Sequence, residues 1–218
     1  MTMLRPRVRV LAGMSLDGRI NEHRSASSRI FDALASAAAI AHQRARRREA
    51  DAVLVGINTV LADDPNFEGT GLLRVVLDSR CRLPLDCELV RRHAAEALLC
   101  VSARAQLSRI DAVRAAGVAV FVSGGDSCDL AAVLRELTSR GVRQLLVEGG
   151  ATVIGAFIEA GWVDELELVL FPIVIGEASA ASLATFSAAP RAMHLVETRT
   201  IDSDTVLVRY WPVSAERS

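Results

Sequence analysis

Short apolar runs recur along the chain, each closing on a small or polar residue. Leu145-Leu146-Val147 has strand length; it ends in Glu148, turns at Gly149-Gly150 and gives way to Val153, Ile154, Phe157 and Ile158 at helical spacing. The same reading places strands over Arg7 to Met14, Ala52 to Val55, Leu73 to Leu77, Ala97 to Val101 and Val118 to Val122. Between them the pattern predicts an Ala-rich helix capped by Asp32 and running to Glu49, a helix over Ile110 to Ala116, and one over Asp129 to Arg140 that stops at Gly141. Gly161 is the expected stop of the helix after Gly150. Asp164 to Ile175 is a long β-rich run broken by Pro172, and Val196 to Trp211 reads as a hairpin around Asp202-Ser203-Asp204. Strands alternating with helices predict an α/β fold with a mainly parallel sheet flanked by helices. The last strands lack intervening helices, so the C-terminal edge is expected to be antiparallel. With no linker and no internal repeat, residues 1–218 are expected to form a single domain.

Composition narrows the function classes. The chain has 218 residues, 51% hydrophobic but only 4% aromatic, so a sizeable core of Ala, Val and Leu is expected. A formal net charge of -1 argues against a nucleic-acid coat or a membrane-surface protein. No run is long enough to span a bilayer. All 25 Lys and Arg positions are arginine, which excludes lysine Schiff-base and P-loop chemistry; any phosphate must be held by Arg, hydroxyls or backbone N–H. Cys81, Cys87, Cys100 and Cys128 form no C-x-x-C and have no His at ligand spacing, so no metal is expected. The start MTMLRPRVRV lacks the apolar stretch of a signal peptide, and a reduced, cytoplasmic setting is expected.

The candidate chemistry sits where strands end. Gly56, Ser79, Ser102, Gly124 and Gly149 follow successive strands, and in open α/β sheets ligands bind at the carboxyl ends of strands. The Gly149-Gly150 turn lets backbone approach a ligand and presents the free N–H groups of the next helix to a phosphate, although such a turn also serves as a plain connection. It is neither G-x-G-x-x-G nor G-x-x-x-x-G-K-[ST]. From Gly56 to Pro65 a glycine, Thr59 and the paired Asp63-Asp64 crowd a short turn; a plain helix stop would explain Asp63-Asp64-Pro65 but would not need Gly56 and Thr59 as well. Ser79-Arg80 offers a hydroxyl and a guanidinium to an anion. The polar stretch Asn21 to Arg29 reads as a ligand loop or a connector, and Arg44, Arg46, Arg47 and Arg48 as a solvated helix face or an anion site.

Five segments in order carry a resemblance: Met14 to Arg19, Val55 to Pro65, Val76 to Ser79, Leu146 to Gly150 and Gly161 to Glu165. Together they resemble the pyrimidine reductases of riboflavin biosynthesis, which include the reductase half of the bifunctional bacterial deaminase–reductase and stand-alone archaeal and fungal enzymes. The resemblance implies a dihydrofolate-reductase-like fold, NADPH as cofactor, and reduction of the ribosyl group of an aminopyrimidine ribosyl 5′-phosphate to ribityl. The H-x-E and P-C-x-x-C pattern of the zinc deaminase partner is absent, so reduction is the activity expected here.

Position by position, the resemblance implies cofactor contacts at Gly56, Thr59, Ser79, Arg80 and the turn Gly149, Gly150, Ala151, Thr152 and Val153. It implies substrate contacts at Ser27, Arg29, Arg47, Asp63 and Glu148. The two carboxylates, Asp63 and Glu148, are the catalytic candidates: either can stabilise a cationic iminium or hand a proton to the ring oxygen. One departure is plain. Relatives follow Asp-Asp-Pro with an apolar-Thr-Val-Arg stretch whose Arg binds the substrate phosphate; this chain reads Asn66-Phe67-Glu68-Gly69-Thr70. Arg29, which stands where a tryptophan often occurs, or another Arg is expected to take over, or the substrate differs. The alternatives are a same-fold reductase of another pterin- or pyrimidine-like substrate and a non-catalytic nucleotide-binding protein. A homodimer is expected from the resemblance and from the apolar run Leu166 to Ile175.

Overall fold

The structure is a computed structural model that describes residues 4–22, 29–185 and 190–213. In chain order its elements are β1 (Arg7–Met14), α1 (Arg29–Leu34), α2 (Ala37–Glu49), β2 (Ala52–Gly56), α3 (Ile57–Asp63), β3 (Leu73–Leu77), α4 (Glu88–His93), β4 (Ala97–Val101), α5 (Leu107–Ala115), β5 (Ala119–Val122), α6 (Leu130–Ser139), β6 (Gln144–Gly149), α7 (Ala151–Glu159), β7 (Glu165–Leu170), β8 (Met193–Thr200) and β9 (Val206–Pro212). The class is α/β, with a mixed, mainly parallel set of strands and an antiparallel C-terminal edge. Two compact units divide the chain, one of Arg47–Leu146 with the residues up to Arg7, the other of Val8–Arg46 with Val147 onward; β6 runs through the boundary.

In the first unit β2, β3, β4 and β5 are parallel, in the order β5-β4-β3-β2. Every position of β2 and β4 is buried, as a strand covered on both faces requires. Val53, Val55, Val76, Leu99 and Val101 join Ile57, Leu83 and Ile110 in one core. The register sets Gly56 beside Leu77 and Leu77 beside Cys100, so the loops after β2, β3 and β4 leave the same edge. Helix α6 begins where Asp129 accepts the N–H groups of Ala131 (2.9 Å) and Ala132 (3.2 Å), and Gly141 follows its end at φ +84.

Arg74 is the surprise of this unit. It lies on β3 with its side chain wholly buried, donating to the carbonyls of Phe67 (3.2 and 3.1 Å), Leu72 (2.6 Å) and Gly69 (2.5 Å) and pairing with Glu96 at 2.6 Å. The loop after Asp-Asp-Pro is thus wrapped around one guanidinium. Phe67 in that loop is buried and holds φ +44, a left-handed conformation uncommon for a bulky residue.

In the second unit the order is β1-β7-β9-β8. β1 and β7 are parallel, from Arg9 beside Glu165 to Met14 beside Leu170; β7–β9 and β8–β9 are antiparallel, the latter with a register shift between Leu195 and Glu197. The predicted run to Ile175 is shorter as a strand: β7 stops at Leu170, before Pro172. Two acids, Glu165 and Glu167, alternate with its apolar residues and are buried against arginine. Arg9 lies 2.8 Å and Arg209 3.7 Å from Glu165. Glu167 is bonded by His42 and by Arg46 at 3.0 and 3.1 Å. Burial works against its charge, but His42 and Arg46 outweigh it and hold the carboxyl below the ordinary range. Arg46 of the arginine run therefore has a structural partner.

The single helix expected from Asp32 to Glu49 is two. Ser36 accepts the Ala39 N–H (3.1 Å) at the start of α2, while Asp32 lies inside α1. The Asp17-Gly18 turn has a job reaching far along the chain. Ser15 Oγ donates to Asp17 (2.6 Å), and Asp17 accepts from Ile175 (3.0 Å) and Gly176 (2.8 Å). Arg19 donates to the Ala180 carbonyl (2.9 Å), and Asn21 accepts from Ala181 (2.7 Å). Thr185 then donates to the Ala151 carbonyl (3.2 Å) beside Gly155, where an added Cβ would sit 2.1 Å from the Thr185 oxygen.

Candidate active site

In the first unit the stretch after β2, read as a short turn or as a helix stop at Asp63-Asp64-Pro65, is the helix α3. Gly56 caps it at φ -84, an ordinary extended value, and Ile57 and Val60 face inward. Thr59 and Asp63 are four residues apart and share a face, both half-buried. Asp64 is set apart from Asp63: it ends the helix at φ 40, its N–H bonds Val60, and its carboxylate accepts the Glu88 N–H at 2.8 Å. The Asp-Asp pair is therefore one C-cap and one helix-face carboxylate.

Around the end of β3, Asp78 is wholly buried and accepts the Leu83 N–H (2.9 Å), with Arg82 3.7 Å from its other oxygen. Burial raises its carboxyl above the ordinary range, against the pull of the Leu83 N–H. The Ser79 hydroxyl already accepts the Cys128 N–H (3.2 Å) and lies 3.6 Å from the Cys128 sulfur; the next residue, Arg80, is exposed. Burial pushes the Cys128 thiol up, so it is a thiol and not a thiolate that stands beside Ser79. Arg47, at the other end of this unit's chain, is half-buried and lies within electrostatic reach of Arg74.

In the second unit Glu148 is half-buried near the end of β6, and Gly149 and Gly150 take φ 154 and φ 38. Those angles favour glycine, as the sequence implied. Gly150 caps α7 with its carbonyl, which accepts from Val153 and Ile154 (3.0 Å each), and as a glycine it brings no capping side chain. The N–H groups of Ala151 and Thr152 head a nine-residue helix without a capping side chain. A cradle of that kind fits a pyrophosphate: backbone donors, dipole sign and a glycine approach. Arg29 opens α1, and Ser27 lies outside the described residues.

Among the described residues no group of three or more His, Cys, Asp or Glu is arranged to hold a metal ion, and no helix is long and apolar enough to cross a membrane.

The family described as the RibD C-terminal domain matches residues 6–207. The chain belongs to this family. The 2,5-diamino-6-ribosylamino-4(3H)-pyrimidinone 5′-phosphate reductase of Archaeoglobus fulgidus is 37% identical over 197 residues, covering 79% of this chain and 83% of its own. The protein of the same name from Aquifex aeolicus is 30% identical over 179 residues, covering 80% of each chain. The riboflavin biosynthesis protein RibD of Bacillus amyloliquefaciens is 32% identical, and here this chain spans 48% of the relative's length. Among solved structures, a pyrimidine reductase-like protein from Corynebacterium diphtheriae superposes with a TM-score of 0.83 at 19% identity, covering 96% of this chain and 92% of its own. Acinetobacter baumannii RibD gives 0.80 at 24% identity, covering 96% of this chain and 58% of its own. These likenesses show the fold of RibD reductases.

Within this RibD-family chain the structure brings Thr59 and Asp63 together on α3, Ser79 and Arg80 at the end of β3, and Glu148 to Val153 around the start of α7. Sequence reasoning missed Ser102 as a tether. Its hydroxyl, wholly buried, donates to the Ser79 carbonyl at 2.8 Å. The available signal was a serine directly after a fully apolar strand.

Proposed function

We propose that this chain is an NADPH-dependent reductase of riboflavin biosynthesis that converts the ribosyl side chain of an aminopyrimidine ribosyl 5′-phosphate to ribityl. The observation that carries the reading is the family match over residues 6–207, with relatives named for that reductase aligning along most of both chains. The glycine N-cap of α7, behind two glycines at positive φ, supports a dinucleotide cofactor.

When bound, the nicotinamide supplies a hydride to C1′ of the ring-opened ribosylamine. The chain's part is to bind, orient and balance charge. Ala151 and Thr152 offer N–H groups to the pyrophosphate behind Gly149 and Gly150; the Val153 N–H, expected to join them, is already taken by the Gly150 carbonyl. Gly56 lets α3 start directly at the strand end, and Thr59 offers its hydroxyl to the nicotinamide side. Ser79 and Arg80 hold the adenosine side, including the 2′-phosphate. Asp63 and Glu148 are the carboxylates for the cationic iminium and for the proton that the ring oxygen takes on opening. Arg47, Arg29 and Ser27 are assigned to the substrate, with the arginines standing in for the guanidinium missing after Asp-Asp-Pro. Arg74 is unsuited to that replacement, because its guanidinium is buried among carbonyls.

The decisive experiment follows NADPH oxidation by absorbance with the aminopyrimidine ribosyl phosphate, its deaminated form, and a pterin. Turnover confined to the ribosyl phosphates, with NADPH preferred to NADH, supports the reading; turnover of neither ribosyl phosphate overturns it. We also assign the chain as one reductase domain working as a cytoplasmic homodimer. A light-scattering mass of a monomer at micromolar concentration would refute the dimer.

A further inference from the structure

Three loops at the carboxyl ends of β3, β4 and β5 are tied to one buried hydroxyl. Ser102 Oγ donates to the Ser79 carbonyl (2.8 Å), has the Asp126 carbonyl at 3.4 Å and accepts the Arg104 N–H (3.2 Å). The third loop is tightly wound: Gly124 stands at φ +77, and a Cβ there would fall 2.2 Å from the Ser127 carbonyl oxygen. The tether links the Arg104 N–H, through one hydroxyl, to the carbonyl of Ser79, the residue before Arg80.

The arginines at this edge differ in what they already hold. Arg109 donates to the carbonyls of Cys81 (3.2 Å) and Leu83 (2.7 Å), and Arg82 to Asn58 (2.9 Å). Those two serve the fold. Arg104 closes Nε and a terminal nitrogen on one oxygen of Asp126, at 2.7 and 2.6 Å. Both partners are open to water, the Asp126 side chain at 83% exposure. An ion pair so exposed is weak. A phosphate group brings more charge and three acceptor oxygens to the same guanidinium, so it outcompetes a lone carboxylate.

We propose that Arg104 is a further ligand of the cofactor's adenosine 2′-phosphate, joining Ser79 and Arg80, and that Asp126 is an internal placeholder which the phosphate displaces. The assignment rests on the reading of the cofactor as NADPH. It makes the loop after β4 a determinant of NADPH over NADH, and it gives the exposed acid on the glycine loop a role opposite in sign to its neighbours: Asp126 weakens cofactor binding by competing for Arg104.

The test is fluorescence titration of the full chain, wild type, Arg104→Gln and Asp126→Asn, with NADPH, NADH, adenosine 2′,5′-bisphosphate and adenosine 5′-monophosphate. Arg104→Gln is expected to lose affinity for NADPH and the bisphosphate by about tenfold to a hundredfold, with NADH and the monophosphate unchanged. Asp126→Asn is expected to bind NADPH more tightly than wild type and NADH the same. A wild type that prefers NADPH while Arg104→Gln keeps that preference overturns the Arg104 assignment and leaves the cofactor reading standing. Equal wild-type affinities for NADPH and NADH overturn both. Circular dichroism of both variants checks that they fold, and equal weakening of all four ligands in Arg104→Gln counts against the proposal.

Discussion

Replacing Arg74 by methionine should cost more stability than any exposed arginine of the chain, by an amount that follows from its contacts. The side chain is wholly buried, and its nitrogens satisfy the carbonyls of Phe67 and Leu72 in the interior, Gly69 at the edge of it, and Glu96. Methionine fills a similar length but donates nothing. Each interior carbonyl left without a donor costs about 1–3 kcal/mol. Glu96 is half exposed and rehydrates, so its loss counts for little. Two interior carbonyls give about 2–6 kcal/mol, and relief from burying a guanidinium offsets part of that. Burial does lower the Arg74 pKa, against the support of Glu96. The expected net loss is about 3 kcal/mol, against about 5–15 kcal/mol for a whole domain. Phe67 raises the stake, since its left-handed backbone is held by the same guanidinium. Arg74→Lys should recover only a part, because an ammonium cannot span three carbonyls as a planar fork does. Urea denaturation with the transition midpoint and slope fitted for wild type, Arg74→Met and Arg74→Lys is the assay. A loss below about 1 kcal/mol in Arg74→Met, with unchanged slope, would refute the reasoning.

Other outcomes follow from the same geometry. Asp63→Asn should lower kcat on the order of a hundredfold, about 2.7 kcal/mol, with cofactor affinity nearly intact, whereas Asp64→Asn, at a left-handed cap that asparagine tolerates, should leave kcat within a few-fold; similar small losses in both would make Asp63 a structural residue. Gly155→Ala drives a methyl into the Thr185 backbone and should cost about 1–3 kcal/mol; an unchanged thermal midpoint would show that the Thr185 segment moves aside freely. Asp17 is held well below the usual carboxylate range, first by the Ser15 hydroxyl and then by the N–H groups of Ile175 and Gly176. Its folded-state pKa is depressed, so its contribution is complete above the unfolded value of 3.8 and is lost as the pH falls through the depressed folded value. The stability gap between wild type and Asp17→Asn should therefore be constant near neutrality and shrink in acid; a gap that widens in acid contradicts the assignment.

The strands were legible because burial on both faces, or the alternation that opens β1, leaves a simple mark. The runs over Arg7–Met14, Leu73–Leu77 and Ala97–Val101 coincide with β1, β3 and β4. Helix α3 was not, since its density of polar residues after Gly56 reads like a turn while only Ile57 and Val60 declare an inner face. The break at Ser36 was hidden in an alanine-rich stretch with uniform helix preference. Arg74 was illegible in principle: an arginine in a strand announces exposure, and its partners are backbone carbonyls, which carry no sequence mark. At the candidate site the glycines and hydroxyls at strand ends could be read directly, because φ near 38 at Gly150 excludes most other residues. The engagement of Ser79 by Cys128 depends on a contact 49 residues away that no local pattern encodes.

The turn from Ser15 to Asn21 looks at first like a chemical motif, dense in polar side chains. Its bonds to Ile175, Gly176, Ala180 and Ala181 suggest a different role. The chain between β7 and Thr185 has almost no ladder of its own, and fixing each of its residues costs about 1–2 kcal/mol of conformational entropy. Three side chains from the turn, Asp17, Arg19 and Asn21, act as a mould for it. A designer who shortens or swaps that turn, treating it as a surface connector, would therefore set free a stretch of chain more than a hundred and fifty residues downstream, and with it the backbone that rests on α7.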